Sequence, residues 1–127
     1  MSTTEAVMTT QEVANRFNEL GQTGQWDKIQ DELYAENAVS IEPEKAHAMG
    51  MPDAEGLDAI REKGKAFNAM VEEMHGGYST EPVVAGNHFC LAMGMDVTFK
   101  GTGRTNIDEI AVYEVKDGKI VKEQFFY

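Results

Sequence analysis

Apolar residues fall first at helical and then at strand spacing along this chain. After a polar tail over residues 1–9, Val13, Phe17 and Leu20 recur at helical intervals and stop at Gly21 and Gly24. Trp26, Ile29 and Leu33 repeat the pattern at once, so the sequence predicts two helices joined by a tight corner. Ala38 to Glu42 reads as a short strand, closed because the residue before Pro43 is pushed out of helical geometry. Residues 43–55 carry two prolines, a glycine, His47, Met49 and Met51, a loop long enough either to cover a site or to run over the surface. Leu57, Ile60, Phe67, Met70, Val71 and Met74 predict the longest helix, with Gly64 on the same side and His75-Gly76-Gly77 as its stop. From Tyr78 onward, turns at Gly86-Asn87, Gly101-Thr102-Gly103 and Asp117-Gly118 divide four strand-like runs. Three helices and a short strand before four consecutive strands make an α+β order, with the helices on one face of an antiparallel sheet.

Asp117-Gly118, between Lys116 and Lys119, is the strongest local signal, because a two-residue type I′ turn needs positive φ at both centres. Pairing Lys116 with Lys119 sets Val112 opposite Glu123, Ile110 opposite Phe125 and Asp108 opposite Tyr127. One face then carries Asp108, Ile110, Val112, Val121, Glu123, Phe125 and Tyr127, a mixture suited to a pocket floor. The other face, with Glu109, Ala111, Tyr113 and Phe126, suits a subunit interface or a partly solvated surface. A carboxylate held among apolar groups has its pKa raised and can shuttle protons near neutrality, which makes Asp108 and Glu123 candidates.

At 127 residues the expectation is one domain over 1–127. Twenty-two Asp and Glu against 11 Lys and Arg give a net charge of −11, which argues against nucleic acid or an anionic membrane as partner. No signal peptide or membrane span is read, so a cytoplasmic protein is expected. Cys90, the one cysteine, excludes an internal disulfide and reads as a small buried side chain. His47, His75 and His88 lack metal-ligand spacing, and no cofactor motif stands out: the glycines around Gly101 are turn residues and cradle no phosphate.

The run Trp26-Asp27-Lys28-Ile29 through Leu33 to Pro43, with Glu55-Gly56-Leu57-Asp58-Ala59-Ile60, resembles the opening of SnoaL-like proteins. Asp108-Glu109-Ile110-Ala111-Val112-Tyr113 and Glu123-Gln124-Phe125-Phe126-Tyr127 resemble the closing hairpin of that NTF2-like superfamily. The resemblance covers nearly the whole chain. It implies a cone-shaped NTF2-like (cystatin-like) fold, three N-terminal helices packed on a curved antiparallel sheet, with a homodimer as the expected assembly. Within the superfamily, ketosteroid isomerase places its catalytic aspartate just before a proline, a place that Glu42-Pro43 matches. This implies Glu42 as general base, with Asp108, or Glu109 one residue on, as the protonated carboxylic acid. SnoaL-type cyclases imply Asp108 or Glu123 as the acid/base. Phe17 stands where the isomerase has its phenol, which argues against steroid isomerase activity unless Tyr34, Tyr127 or His75 replaces the lost donor. The implied function is cofactor-free isomerase, cyclase or dehydratase chemistry on a small apolar carbonyl compound. Phe17, Tyr34, Phe67, Met74, Phe125 and Tyr127 are the expected ligand contacts. The alternatives are a non-catalytic ligand-binding protein and a dimeric interaction module.

Overall fold

The structure, a computed structural model, describes residues 7–127; the first six residues of the expected polar tail lie outside the described residues. Helix α1 (Thr10–Gln22) starts at a capping box, in which the Thr9 hydroxyl accepts from the Glu12 N–H and the Glu12 carboxylate accepts from the Thr9 N–H. It buries Val13, Ala14, Phe17 and Leu20, and α2 (Trp26–Leu33) buries Ile29 and Leu33, the stripes expected from spacing. Strand β1 (Tyr34–Ile41) follows without a loop and is longer than the short strand read from Ala38.

The described residues hold four helices rather than three. The extra one, α3 (Glu44–Ala48), is a single turn inside the 43–55 loop, and β2 (Ala54–Glu55) closes that loop against β1. Helix α4 (Leu57–Met70) ends earlier than its methionines suggest: Val71 and Met74 belong to β3 (Val71–Ser79), which pairs antiparallel with β5 (His88–Phe99). The stripe from Met70 to Met74 fits a helix by spacing alone. The Lys100 N–H donating to the Met70 carbonyl, and the ladder beyond it, decide for a strand. Short β4 (Val83–Ala85) also pairs with β5, and β6 (Gly103–Lys116) and β7 (Lys119–Phe126) form the final hairpin.

The sheet order is β2-β1-β7-β6-β5-β3, with β4 pairing β5 off this path. It is mixed rather than purely antiparallel, since β1 runs parallel to β7. Register shifts in the β1–β7, β3–β5 and β6–β7 pairs add local twist and bend the sheet around α1 and α4. Its inner face contributes Phe89, Leu91, Ala111, Tyr113, Val115 and Ile120 to one core with the helical stripes. Phe17 is the centre of an aromatic group, 4.7 Å from the Tyr113 ring, 5.4 Å from Phe89 and 6.0 Å from Trp26.

On the outer face the Tyr78 ring lies across Gly94 of β5, and its hydroxyl donates to Asp108 at 2.7 Å. A methyl group at Gly94 would stand 2.4 Å from the Tyr78 ring, 2.8 Å from the Asp108 carboxylate and 2.8 Å from the Ile107 carbonyl. The ring can swing aside but the carbonyl cannot. Gly94→Ala is therefore expected to cost about 1–2 kcal/mol in chemical denaturation, and an unchanged midpoint would show that β5 and β6 are not so closely apposed.

Candidate functional site

The type I′ turn forms as the sequence predicts, with Asp117 at φ 52°, Gly118 at φ 75°, and Lys116 opposite Lys119. Beyond Val115 opposite Ile120 the register shifts by one residue. Tyr113 then faces Glu123, Val112 faces Gln124, Ala111 faces Phe125 and Ile110 faces Phe126. This corrects the expected pairing, and the cause is a bulge that a two-residue turn does not announce. The inward residues of β6 are Tyr113, Ala111 and Glu109. Asp108 is exposed on the outer face with Tyr78, and Tyr113, expected on an interface, is buried in the core.

Three carboxylates converge inside. On β1, Ala38 and Ser40 are fully buried, and Glu42, next in that alternation, is 6% exposed. The Lys63 ammonium of α4 donates to the Glu42 Oε2 atom at 2.7 Å and to the Ser40 hydroxyl at 2.6 Å, and the Tyr127 hydroxyl donates to Glu42 Oε1 at 2.8 Å. Glu123 of β7 is 5% exposed and accepts from the Tyr34 hydroxyl. Burial pushes its carboxyl above the ordinary range, the Glu42 charge adds to this, and hydrogen bonds from Ser40 and Tyr34 with the Lys63 charge oppose it. Glu109, on β6 just past the pairing with β7, is partly buried. Its carboxyl is pushed up to about 7 by burial first, then by the charges of Glu42 and Glu123, with Lys63 opposing. No hydrogen bond contributes to that value.

The surroundings hold this cluster in place. Asp53 Oδ1 accepts from the Glu42 backbone N–H at 2.8 Å and lies 2.8 Å from His47 Nε2, so the end of β1 is tied to the loop carrying α3. These contacts keep Asp53 below the ordinary carboxylate range, the Glu42 backbone bond being the largest cause. The Phe125 ring lies 5.6 Å from the Lys63 ammonium, and the Lys45 ammonium sits 5.3 Å from the Tyr127 ring. Burial and the Glu42 hydrogen bond both raise the Tyr127 phenol, and burial with the Glu123 charge raises Tyr34 further.

Of the residues expected in a site, the fold brings together Glu42, Glu123, Tyr34, Phe125 and Tyr127. Asp108 and Met74 do not join them, Met74 being half exposed on β3. Phe17 belongs to the aromatic core, and Phe67 packs edge-on to Phe99 at 5.6 Å. His75 Nε2 meets the Thr98 hydroxyl and replaces no donor here. Sequence reasoning misses Lys63, Ser40 and Tyr113 and leaves Glu109 open. A signal for Lys63 exists, since it stands three residues after Ile60, where the apolar stripe of α4 is interrupted. Among the described residues no group of His, Cys, Asp and Glu is arranged to hold a metal ion, and no helix is long and apolar enough to cross a membrane.

Comparison with known proteins adds lineage to this geometry. The family model described as a SnoaL-like domain matches residues 8–127. A Mesorhizobium loti protein named as a SnoaL-like polyketide cyclase, with carbohydrate phosphatase in brackets, is 35% identical, with 94% of this chain and 100% of that one covered and a TM-score of 0.83. TerC, co-crystallised with polyporic acid, superposes at 16% identity over 93% of this chain and 90% of its own, TM-score 0.72. A Catenulispora acidiphila protein of ketosteroid isomerase-like fold, in complex with trimethylamine, does so at 19% identity over 94% and 87%, TM-score 0.68. The last two likenesses concern the fold alone. No curated protein matches the chain.

Proposed function

Because this chain belongs to the SnoaL-like domain family, we propose that its buried carboxylate cluster binds a small, largely apolar carbonyl compound and moves a proton on it without a cofactor. The observation that carries this reading is Glu109. A carboxyl with a pKa of about 7 is populated in both protonation states at neutral pH, the condition under which an acid/base group works in either direction. We assign proton transfer to Glu109 rather than Glu42, whose two oxygens are occupied by Lys63 and Tyr127. Glu42 and Glu123 supply the negative charge that raises Glu109, and Tyr34 and Tyr127 hold them in place. Phosphatase chemistry, by contrast, would bring a phosphate against three carboxylates and one lysine already committed to Glu42. Ile110 and Phe126, paired across the hairpin and about half exposed, are the outer-face side chains on which the expected homodimer would rest.

Exchange of the protons beside a ketone carbonyl for deuterium tests proton transfer whatever the eventual product. Incubated with cyclic ketones and enones in deuterated buffer, the protein is expected to accelerate exchange for at least one compound, and Glu109→Gln to lose about 100-fold or more of it. This variant strands no cation, because Glu109 forms no ion pair among the described residues. Equal exchange by both proteins would remove Glu109 from the role, and binding without exchange would make the site a carrier's pocket.

A further inference from the structure

Counting hydrogen-bond donors around the cluster leaves one side chain unspent. Tyr34 donates to Glu123, Tyr127 to Glu42, and Lys63 to Glu42 and Ser40. Ser40 in turn hydrogen-bonds Glu123. Tyr113 is different. It is only 2% exposed and packs against the Phe17 and Phe89 rings at 4.7 Å and 4.9 Å, yet none of the hydrogen bonds made among the described residues involves its hydroxyl. Every fully occluded side-chain nitrogen or oxygen among those residues has a partner, so the Tyr113 hydroxyl is not completely enclosed by protein atoms. It sits directly across the hairpin from Glu123, on the strand face that carries Glu109, and both carboxylates raise its phenol after burial itself.

We propose that Tyr113 is the donor that grips the ligand's carbonyl oxygen: a buried phenol without a protein partner, held by Phe17 and Phe89 beside Glu123. The inference rests on the acid/base reading of the site and extends it. Phe17, which lacks the hydroxyl expected on the first helix, is the ring against which this phenol is braced. A donor placed there would polarise the carbonyl while Glu109 takes or gives a proton on the neighbouring carbon. The phenol keeps its own proton throughout, so the only proton that moves passes between Glu109 and carbon; when Glu109 takes it, the C–H electron pair shifts onto the carbonyl oxygen, and it returns when the proton is given back. An unspent donor also selects the ligand: it favours a compound presenting an acceptor oxygen.

Tyr113→Phe tests this in two ways. With a carbon-13 carbonyl-labelled cyclohexenone as probe, wild type is expected to bind it and shift its carbonyl stretch to lower frequency. Tyr113→Phe should bind about three- to tenfold more weakly and lose most of that shift. Without any ligand, the variant should melt at or above the wild-type temperature, since removing an unpartnered buried hydroxyl strands nothing. A clear drop in melting temperature would mean that the hydroxyl has a protein partner and would overturn the proposal. Binding and carbonyl stretch that respond to Glu109→Gln but ignore Tyr113→Phe would overturn it while leaving the acid/base site standing. Failure of the cyclohexenone and of the wider ketone series to bind wild type would overturn both together.

Discussion

Lys63→Met is expected to destabilise the protein by about 3–5 kcal/mol at neutral pH, more than most single changes in its core. The Lys63 and Glu42 side chains are only 11% and 5% exposed and meet at 2.7 Å. Burying two charges is costly, and their attraction offsets that cost only while both are present, so removing the cation leaves an unpaired carboxylate in low dielectric. Adding Glu42→Gln to Lys63→Met should recover most of the loss, because the amide oxygen still accepts from Tyr127 and no charge is stranded. Urea denaturation of the two singles and the double provides the cycle. A loss under about 1 kcal/mol in Lys63→Met would show that water reaches the pair and that the cluster is not a desolvated site.

Glu109→Gln should change the pH dependence of stability in a definite direction. The folded protein holds the Glu109 proton up to about pH 7, against an ordinary value of 4.5. Its contribution is therefore fully present below about pH 4.5 and is lost as pH rises through about 7, because the unfolded chain binds fewer protons across that window. Above about pH 7 the ionised carboxylate stands partly buried beside Glu42 and Glu123, at a cost of roughly 2–3 kcal/mol after allowing for its residual exposure. The glutamine variant does not titrate. It should match wild type near pH 4.5 and become progressively more stable than wild type up to about pH 8, a gap readable by chemical denaturation at several pH values. Glu123, also raised, remains in both proteins, and because its charge is coupled to that of Glu109, relief of that repulsion in the variant acts in the same direction. Parallel curves would remove the raised pKa from the account. The opposing demands of stability and proton transfer meet at this one residue, which costs stability at the pH where it is useful.

Much of this arrangement is legible in the sequence. The helical stripes of α1 and α2, the Glu42-Pro43 strand end and the Asp117-Gly118 turn follow from local spacing and turn chemistry, and each forms. The rest is set by pairing between distant strands. The bulge near Val115 lies one step beyond a correctly placed turn, yet it exchanges the two faces of β6, so Asp108 turns outward and Glu109 and Tyr113 inward. Spacing overextends helix α4 because Met70, Val71 and Met74 satisfy a helical period, while the β3–β5 ladder that claims Val71 and Met74 is a long-range choice. Along β1 the alternation itself is plain, but Val39 and Ile41 look like the core side. That the polar side, Ser40 and Glu42, is the buried one depends on Lys63, more than 20 residues away in sequence. Buried polar clusters of this kind invert the usual rule for choosing a strand's inner face, and a functional site is where such an inversion is expected.

The carbon-13 titration of the Glu109 side-chain carboxyl, with its resonance assigned by loss in Glu109→Gln, decides whether the buried cluster holds an acid/base group. A midpoint near 7 that falls when Glu42 is replaced by Gln is the predicted result. A midpoint near 4.5, unmoved by that replacement, would contradict the account, for it would make Glu109 an ordinary surface carboxylate and leave the cluster without its acid/base group.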